Sequence, residues 1–427
     1  MVLGLAKSGV AAIHLLLNQG AKVTGTDNRN LSDLPLVHKL VENSEIFFAS
    51  DKTADLQGVD TLVVSPGVPL SHPLIQSALF RGIRLIGEME LASEFLRGPI
   101  LAITGSNGKT TTTALVGHIL KSANVPSQVG GNIGFAATDM IETSHFLQWN
   151  VLELSSFQLE TIDRFRPQIA SVLNVTPNHL DRHGTMQEYA RAKGNIFRNQ
   201  RSGDWAVLNA GNAISDSYKT SALIARFCGP DAHVAGANIE LFGKTLIPVS
   251  EIPLPGAHNL ENVMAAATLA SLAGAAHADI AAAVTTFKGV KHRLEFIREV
   301  RGVKFYNDSK ATSVDAALKA VEALPGPLWV ILGGLDKGGS YMPLAAPLAA
   351  KAKAALLIGS AAPLIEKELH SHIQLDNCGT LETAIHSAVN QAQPGDTVLL
   401  APACASYDQF KTYEHRGDVF RQLVEAL

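Results

Sequence analysis

Cysteine is scarce: three residues in a chain of 427, Cys228, Cys378 and Cys404, lie far apart. Their spacing matches no metal-ligand pattern and an odd number cannot all pair internally, so a reducing, cytoplasmic setting is the simplest account. Long apolar runs are missing too. No stretch approaches the roughly 18 apolar residues of a membrane-spanning helix, and the first residues lack the layout of a secretory signal, so no membrane insertion is expected. Neither sign of charge dominates. Thirty-five Lys and Arg against 39 Asp and Glu give a formal net charge of -4, which offers no long-range attraction for nucleic acid or an anionic membrane. A local positive pocket for a phosphate ligand remains open. Internal repeats and low-complexity tracts are absent. With 46% hydrophobic and 17% charged residues the composition leaves no room for a long disordered arm, and the length calls for two to three domains.

What is present is an alternation of short apolar strands and helical segments. Val2 and Leu3 precede a glycine turn, Gly4 to Gly9, then a helix through about Gln19 and a strand ending in Asp27. This is the half-unit of a parallel nucleotide-binding sheet, with Asp27 placed to accept from a ribose or base. GLAKSG keeps the outer glycines of the dinucleotide fingerprint but carries Ala6 and Lys7 between them. A nicotinamide cofactor, another nucleotide-like ligand and a turn that only packs strand on helix therefore all stay open. Met1 to Leu3 is also short for a buried strand, which implies a thin sheet edge or a chain that starts upstream.

Strand-like runs at 60–65 and 84–87 complete a small α/β domain over residues 1–88. A second α/β domain is expected over 89–289, with buried strands at 99–104, 149–155, 169–176 and 206–209. It ends in an alanine-rich helix, Gly256 to Gly274, whose polar start holds His258, Asn259, Glu261 and Asn262. A third, over 290–427, has strand candidates at 303–307, 328–334, 354–359 and 397–403 and helices at 313–324 and 380–390. Its ligand groups belong beyond the carboxyl ends of the strands. The alanine-rich run from Leu344 to Ala355 is expected as packed helix.

The most specific signal is an apolar strand, Ile100 to Thr104, running directly into Gly105, Ser106, Asn107, Gly108, Lys109, Thr110 and Thr111 and then a helix. The glycines free the backbone to curve around oxygen atoms, Lys109 supplies a mobile cation, and Thr110 offers a hydroxyl to magnesium. Ile103 stands where the general motif has its leading glycine. The plain alternative is a strand-to-helix turn with a solvated lysine. Glu153 and His179 each follow an apolar strand, so both can point into one crevice with Thr110; a helix-cap carboxylate and a satisfied pocket histidine are the competing readings. Asn259 and Asn262, three residues apart on one helical face, either orient nucleotide groups or cap the helix. At the entrance to the third domain, Arg293 can clamp a phosphate and Asp308 hold a ribose.

TGSNGKTT at 104–111 resembles the phosphate loop of the Mur ligases, the ATP-dependent amide-forming enzymes of peptidoglycan precursor synthesis. ELSSFQLE at 153–160, NVTPNHLDRHG at 174–184, HNLENVMAA at 258–266, KHRLE at 291–295 and NDSKATS at 307–313 follow in order, through all three domains. Within the family they are most similar to the branch that adds D-glutamate to UDP-N-acetylmuramoyl-L-alanine. The resemblance implies a Rossmann-like N-terminal domain for the UDP-sugar, a central P-loop ATPase-like domain and a C-terminal Rossmann-like domain for the amino acid. It implies ATP and two Mg2+ ions as cofactors, held by residues 105–111 with Asn259, Asn262, Arg293 and Asp308 for the nucleotide. The metal ligands it implies are Thr110, Glu153, His179 and Lys193, the last as a carbamate; without the resemblance Lys193 reads as a solvated helix lysine.

The implied catalytic set is Lys109, His179, Lys193 and Lys310. Substrate contacts are implied for Lys7, Ser8, Asp27, Asn28, Arg29, Ser65 and Asn132 on the UDP-sugar side, and for Lys310, Thr312, Lys337, Ser406 and Tyr413 on the amino-acid side. Three positions depart from the pattern. Tyr413 stands in place of phenylalanine, Ser313 replaces a frequent asparagine, and Leu335 takes the place of a substrate-side aspartate, for which Asp336 is the candidate substitute. A monomer acting in the cytoplasm on two small substrates follows. The competing readings are another Mur enzyme, a folylpolyglutamate synthase, and an ATP-binding regulatory module without bond-making chemistry.

Overall fold

The computed structural model describes residues 1–427, the side chain of Asp181 excepted. Three sheets organise the chain. The first two lie in one compact unit, Met1–Ile252 with Glu261–Thr285, and the third in another, Pro253–Leu260 with Thr286–Leu427. Among the described residues no helix is long and apolar enough to cross a membrane.

The first sheet is all parallel, in the order Phe47–Ser50, Thr24–Asp27, Val2–Leu3, Thr61–Val64, Arg84–Gly87. The two-residue strand Val2–Leu3 is therefore central, and the expectation of a thin edge is corrected: both residues are buried between neighbours on each side. The helix Lys7–Asn18 packs close against the turn before it. A Cβ on Gly9 would stand 1.9 Å from the Gly4 carbonyl oxygen, so the outer glycines of GLAKSG serve close packing.

The second sheet has nine strands. Its parallel core places Ile100–Thr104 between Ile169–Val172 and Trp149–Glu153, with all five residues of the first strand buried. That burial on both faces is why the sequence reads there as continuous apolar runs. An antiparallel extension, Ala232–Ala235, Asn238–Leu241 and Lys244–Pro248, was not legible in advance because its strands are half exposed and short. The third sheet runs Glu295–Val300, Val303–Asn307, Thr397–Leu400, Leu328–Gly333, Ala352–Ile358, Leu375–Gly379, parallel but for its first strand. The alanine-rich run splits: Ala345–Lys351 is helix, but Ala352 begins a strand, correcting the expectation of helix through Ala355. Pairing on both edges and burial of Ala354 and Ala355 outweigh alanine's helix preference.

Within the first unit, the expected boundary at 88/89 falls on a helix, Glu88–Ser93, that ties the first two sheets together. Glu88 accepts from the Thr138 N–H at 2.9 Å and the Thr138 hydroxyl at 3.0 Å. Burial pushes its carboxyl group up, against the pull of these donors. Glu90, with 0% exposure, accepts the backbone N–H groups of Asp163, Arg164 and Phe165 at 2.9, 2.8 and 3.0 Å. Replacing Glu90 by alanine strands three backbone donors, that of Phe165 fully buried, and is expected to destabilise the first unit by about 3 kcal/mol. A urea midpoint equal to that of the unaltered protein would show that the loop finds other partners.

Candidate functional site

The turn after Ile100–Thr104 bends through Gly108, whose φ of 80° is left-handed, into the helix Lys109–Ser122. A side chain at Gly108 would put its Cβ 2.2 Å from Asn262 Oδ1, so only glycine admits the approach of this asparagine. Asn262 also accepts from the Thr112 hydroxyl at 3.3 Å, which places it against the loop. Ser106 and Asn107 are held from behind. The Ser106 hydroxyl reaches the Thr176 carbonyl and the Tyr189 hydroxyl, both at 3.1 Å, and the Asn107 N–H donates to Asn174 Oδ1 at 2.9 Å. Sequence reasoning missed Asn174, Thr176 and Tyr189 as supports, although the first two lie inside the motif at 174–184.

Lys109 folds back, donating from Nζ to the carbonyls of Gly105 at 2.9 Å and Ser106 at 3.1 Å. Lys193, on the helix Met186–Gly194, donates to the same Gly105 carbonyl at 2.8 Å and lies 4.5 Å from the Tyr189 ring centroid. It is buried, not solvated. Burial, then the charge of Lys109, hold its pKa well below the ordinary lysine value, with Glu153 opposing. Glu153, at the end of its strand, is buried; its Oε1 accepts from Asn132 Nδ2 at 3.1 Å, and its Oε2 has no hydrogen-bond partner among the described residues. Asn132 thus orients the carboxylate. A buried carboxylate oxygen with nothing to bind is costly, and a cation supplies what it lacks.

This donor set fits magnesium: Glu153 and the buried Thr110 are hard oxygen donors, and the ion takes its other ligands from water and phosphate. Among the described residues no three His, Cys, Asp or Glu side chains gather into a metal cluster. His179 is exposed, with φ 53°, its ring 5.1 Å from that of Phe157 and 6.3 Å from that of Tyr189.

In the first sheet a cavity of about 490 Å³ is lined by Lys7, Ser8, Asp27, Asn28, Arg29 and Ser65, all expected on the UDP-sugar side. Asp27 accepts the Leu5 N–H at 2.6 Å and is forked by Arg29 Nε and NH2 at 2.9 and 3.0 Å. Burial raises its pKa, but these donors outweigh it and bring it down to about 2. Lys7 is exposed and donates to the Gly134 carbonyl, in the loop that follows Asn132. The lining also includes Asp51 and His72, 3.4 Å apart, which no motif announced.

The second unit carries the remaining candidates. Asn259 belongs here, its Nδ2 donating to the Pro255 carbonyl at 2.6 Å. Asp308 is buried at the end of Val303–Asn307, and burial pushes it up to about 7 against the nearby charges of Arg293 and Lys310. Lys310 Nζ lies 5.9 Å from the Tyr413 ring centroid, and Lys337 Nζ donates to the Thr312 hydroxyl at 3.1 Å, so these expected contacts form two neighbouring pairs. Ser406 is buried, with its carbonyl accepting from the Phe410 N–H at 2.8 Å. Ser313 caps the helix Val314–Ala323 through its hydroxyl, which explains that substitution. Leu335 pairs by its backbone with Ala405. Asp336 is engaged by the Tyr341 hydroxyl at 2.6 Å and the Gly338 N–H at 3.0 Å; its carboxylate anchors this loop.

Three family models match the chain in succession: Mur ligase MurD-like N-terminal domain over residues 1–87, Mur ligase middle domain over 103–270, and Mur ligase, glutamate ligase domain over 292–404. The UDP-N-acetylmuramoylalanine--D-glutamate ligase of Solibacter usitatus is 54% identical, covering 100% of this chain and 97% of that protein. The protein of the same name from Acidobacterium capsulatum is 48% identical, covering 100% and 96%. Among solved structures, the UDP-N-acetylmuramate-alanine ligase of Thermotoga maritima superimposes with a TM-score of 0.62 at 18% identity, over 100% of this chain and 98% of that one, a likeness of fold.

Asp308 makes stability depend on pH with a definite sign. Between its ordinary value of 3.8 and about 7 the folded state keeps a proton that the unfolded chain has lost. Its contribution is complete below that window and declines as pH rises through it, by at most about 4 kcal/mol. Asp308→Asn is expected to flatten this decline in urea midpoints taken from pH 4 to pH 8; identical slopes in both proteins would remove Asp308 as its source.

Proposed function

The chain belongs to the Mur ligase family, and we propose that it is the member that joins D-glutamate to UDP-N-acetylmuramoyl-L-alanine, driven by ATP, in peptidoglycan precursor synthesis. The observation that carries this reading is the convergence of Lys109, Lys193 and Glu153 on one phosphate loop. Full-length identity to D-glutamate ligases supports the choice of substrates. The cytoplasm, where ATP and UDP-sugars are made, is the corresponding site of action.

A carboxylate and an amine do not condense in water, because the carboxylate is unreactive and hydroxide leaves poorly. The alanyl carboxylate oxygen attacks the γ-phosphorus of ATP; the bond to ADP breaks and an acyl phosphate forms. The amine of D-glutamate then attacks the acyl carbon, inorganic phosphate leaves, and the nitrogen gives up its proton as the amide forms. Lys109 exchanges the carbonyls of Gly105 and Ser106 for terminal phosphate oxygens, and neutralises charge that grows during transfer. Bound Mg2+, two ions in this reading, supplies further charge neutralisation at the phosphates. Thr110, Glu153, His179 and Lys193 are the residues that would hold it.

Burial and the charge of Lys109 favour the neutral amine of Lys193, the form that adds to carbon dioxide; a new N–C bond forms, one proton goes to solvent, and the neutral amine becomes an anionic oxygen donor. Such a carbamate replaces repulsion from Lys109 by attraction. Asn262 steadies the loop. Arg293, Asp308 and Asn259 take nucleotide groups, while Lys310, Thr312, Lys337, Ser406 and Tyr413 take D-glutamate. Lys7, Ser8, Asp27, Asn28, Arg29, Ser65 and Asn132 serve the UDP-sugar.

ADP release with UDP-N-acetylmuramoyl-L-alanine and D-glutamate, compared with L-glutamate, meso-diaminopimelate and a folate acceptor, tests the assignment. Turnover with D-glutamate alone among the amino acids is expected, and activity confined to a folate would reject the reading. Lys109→Ala is expected to lower kcat/KM by about 10²- to 10³-fold with the fold retained. Incubation with 13C-labelled bicarbonate is expected to give a carbamate carbon resonance that Lys193→Ala abolishes; a spectrum indifferent to that change would remove the carbamate.

A further inference from the structure

In the third sheet the strands Val303–Asn307, Thr397–Leu400 and Leu328–Gly333 are adjacent, although Thr397–Leu400 comes last in the chain. Their carboxyl ends therefore open at a switch point, where α/β sheets hold ligands. The loops leaving those ends carry Lys310 and Thr312, Ser406, and Lys337. Beneath them lies Arg416, 0% exposed, on the helix Tyr413–Glu425.

Its guanidinium meets all three loops. Nε donates to the Ser309 hydroxyl at 3.0 Å, and NH2 to the carbonyls of Ser309 at 3.0 Å and Cys404 at 3.2 Å. NH1 donates to the Ala405 carbonyl at 3.2 Å and, at the limit of 3.5 Å, to that of Gly333. The Ser309 hydroxyl passes the connection on, donating to the Tyr413 carbonyl at 2.8 Å. Every one of these acceptors is a carbonyl or a hydroxyl. The acid that acts on Arg416 through space, Asp408, has its carboxylate engaged by the Ser360 N–H at 3.0 Å. Burial lowers the pKa of Arg416 only to about 10, so it stays charged at neutral pH. An unpaired buried cation is a costly way to brace three loops, and a site for an anionic ligand gives it a use. A lysine in its place would keep the charge but lose the planar fork that spans the loops.

We propose that Arg416 is a positioning residue for the amino-acid pocket, fixing the loops of Lys310, Thr312, Lys337 and Ser406 in one wall and setting a standing positive charge behind it that favours a dicarboxylic amino acid. This rests on the D-glutamate roles given above to those four residues.

The test is steady-state kinetics of the full chain with Arg416→Lys, Arg416→Met and Ser309→Ala, varying each of the three substrates in turn. Both Arg416 variants are expected to raise KM for the amino acid by about tenfold or more, and Ser309→Ala by about threefold, with KM for ATP and the UDP-sugar within about twofold. Values for the amino acid that match the unaltered protein would overturn the proposal. So would a rise shared equally by all three substrates, the mark of a merely structural residue. If the Arg416 variants do not fold, Ser309→Ala decides the matter by the same criterion. An unaltered protein that works on a different amino acid sinks the D-glutamate assignment alone, and the wall is then judged on KM for that amino acid.

Discussion

One carbonyl oxygen, that of Gly105, receives two lysine side chains, and the rest of the reaction centre follows from that crowding. Lys109 and Lys193 both donate to it while Glu153 keeps a buried oxygen without a partner. Burial first, and the like charge of Lys109 second, lower the pKa of Lys193, the deeper of the two. Such an arrangement is poorly balanced by itself. Phosphate oxygens would draw Lys109 away from the loop, and a cation would satisfy Glu153, so the protein is built around charges its ligands bring.

The fold delivers these groups through the ends of three neighbouring strands. Ile100–Thr104 leads into the loop, Trp149–Glu153 ends in the carboxylate, and Ile169–Val172 leads to Asn174 and Thr176, which brace the loop from behind. Asn132 links the carboxylate to the loop that meets Lys7, so the phosphate site and the cavity of the first sheet share one stretch of chain. Buried Glu88 in the connecting helix holds Thr138, a few residues beyond that stretch. Binding energy from a distant part of a substrate can be used at the reacting end only if such connections are stiff.

Much of this was legible because phosphate binding demands particular residues at particular spacing. The strand, glycine turn and lysine leave few alternatives, and the strands read as apolar runs because both faces are buried. Other motif residues carry structure instead: in ELSSFQLE, Ser155 and Gln158 form a capping box for the helix Ser156–Leu159. What could not be read were supports whose partners are backbone groups far along the chain. Glu90 and Arg416 look like ordinary surface charges until the fold closes over them, since no local pattern marks a side chain that binds main-chain atoms 73 or 107 residues away. The strand expected from Ala354 begins two residues earlier, at Ala352, for the related reason that alanine's local preference for helix yields to pairing with two neighbours.

The central claim is that the unpartnered oxygen of Glu153 marks the place of a magnesium ion bound with ATP. Calorimetric titration of ATP into the unaltered protein and into Glu153→Gln, each with and without Mg2+, tests it directly. The account predicts that Mg2+ tightens ATP binding in the unaltered protein and loses that effect in the variant. An equal gain from Mg2+ in both would contradict it.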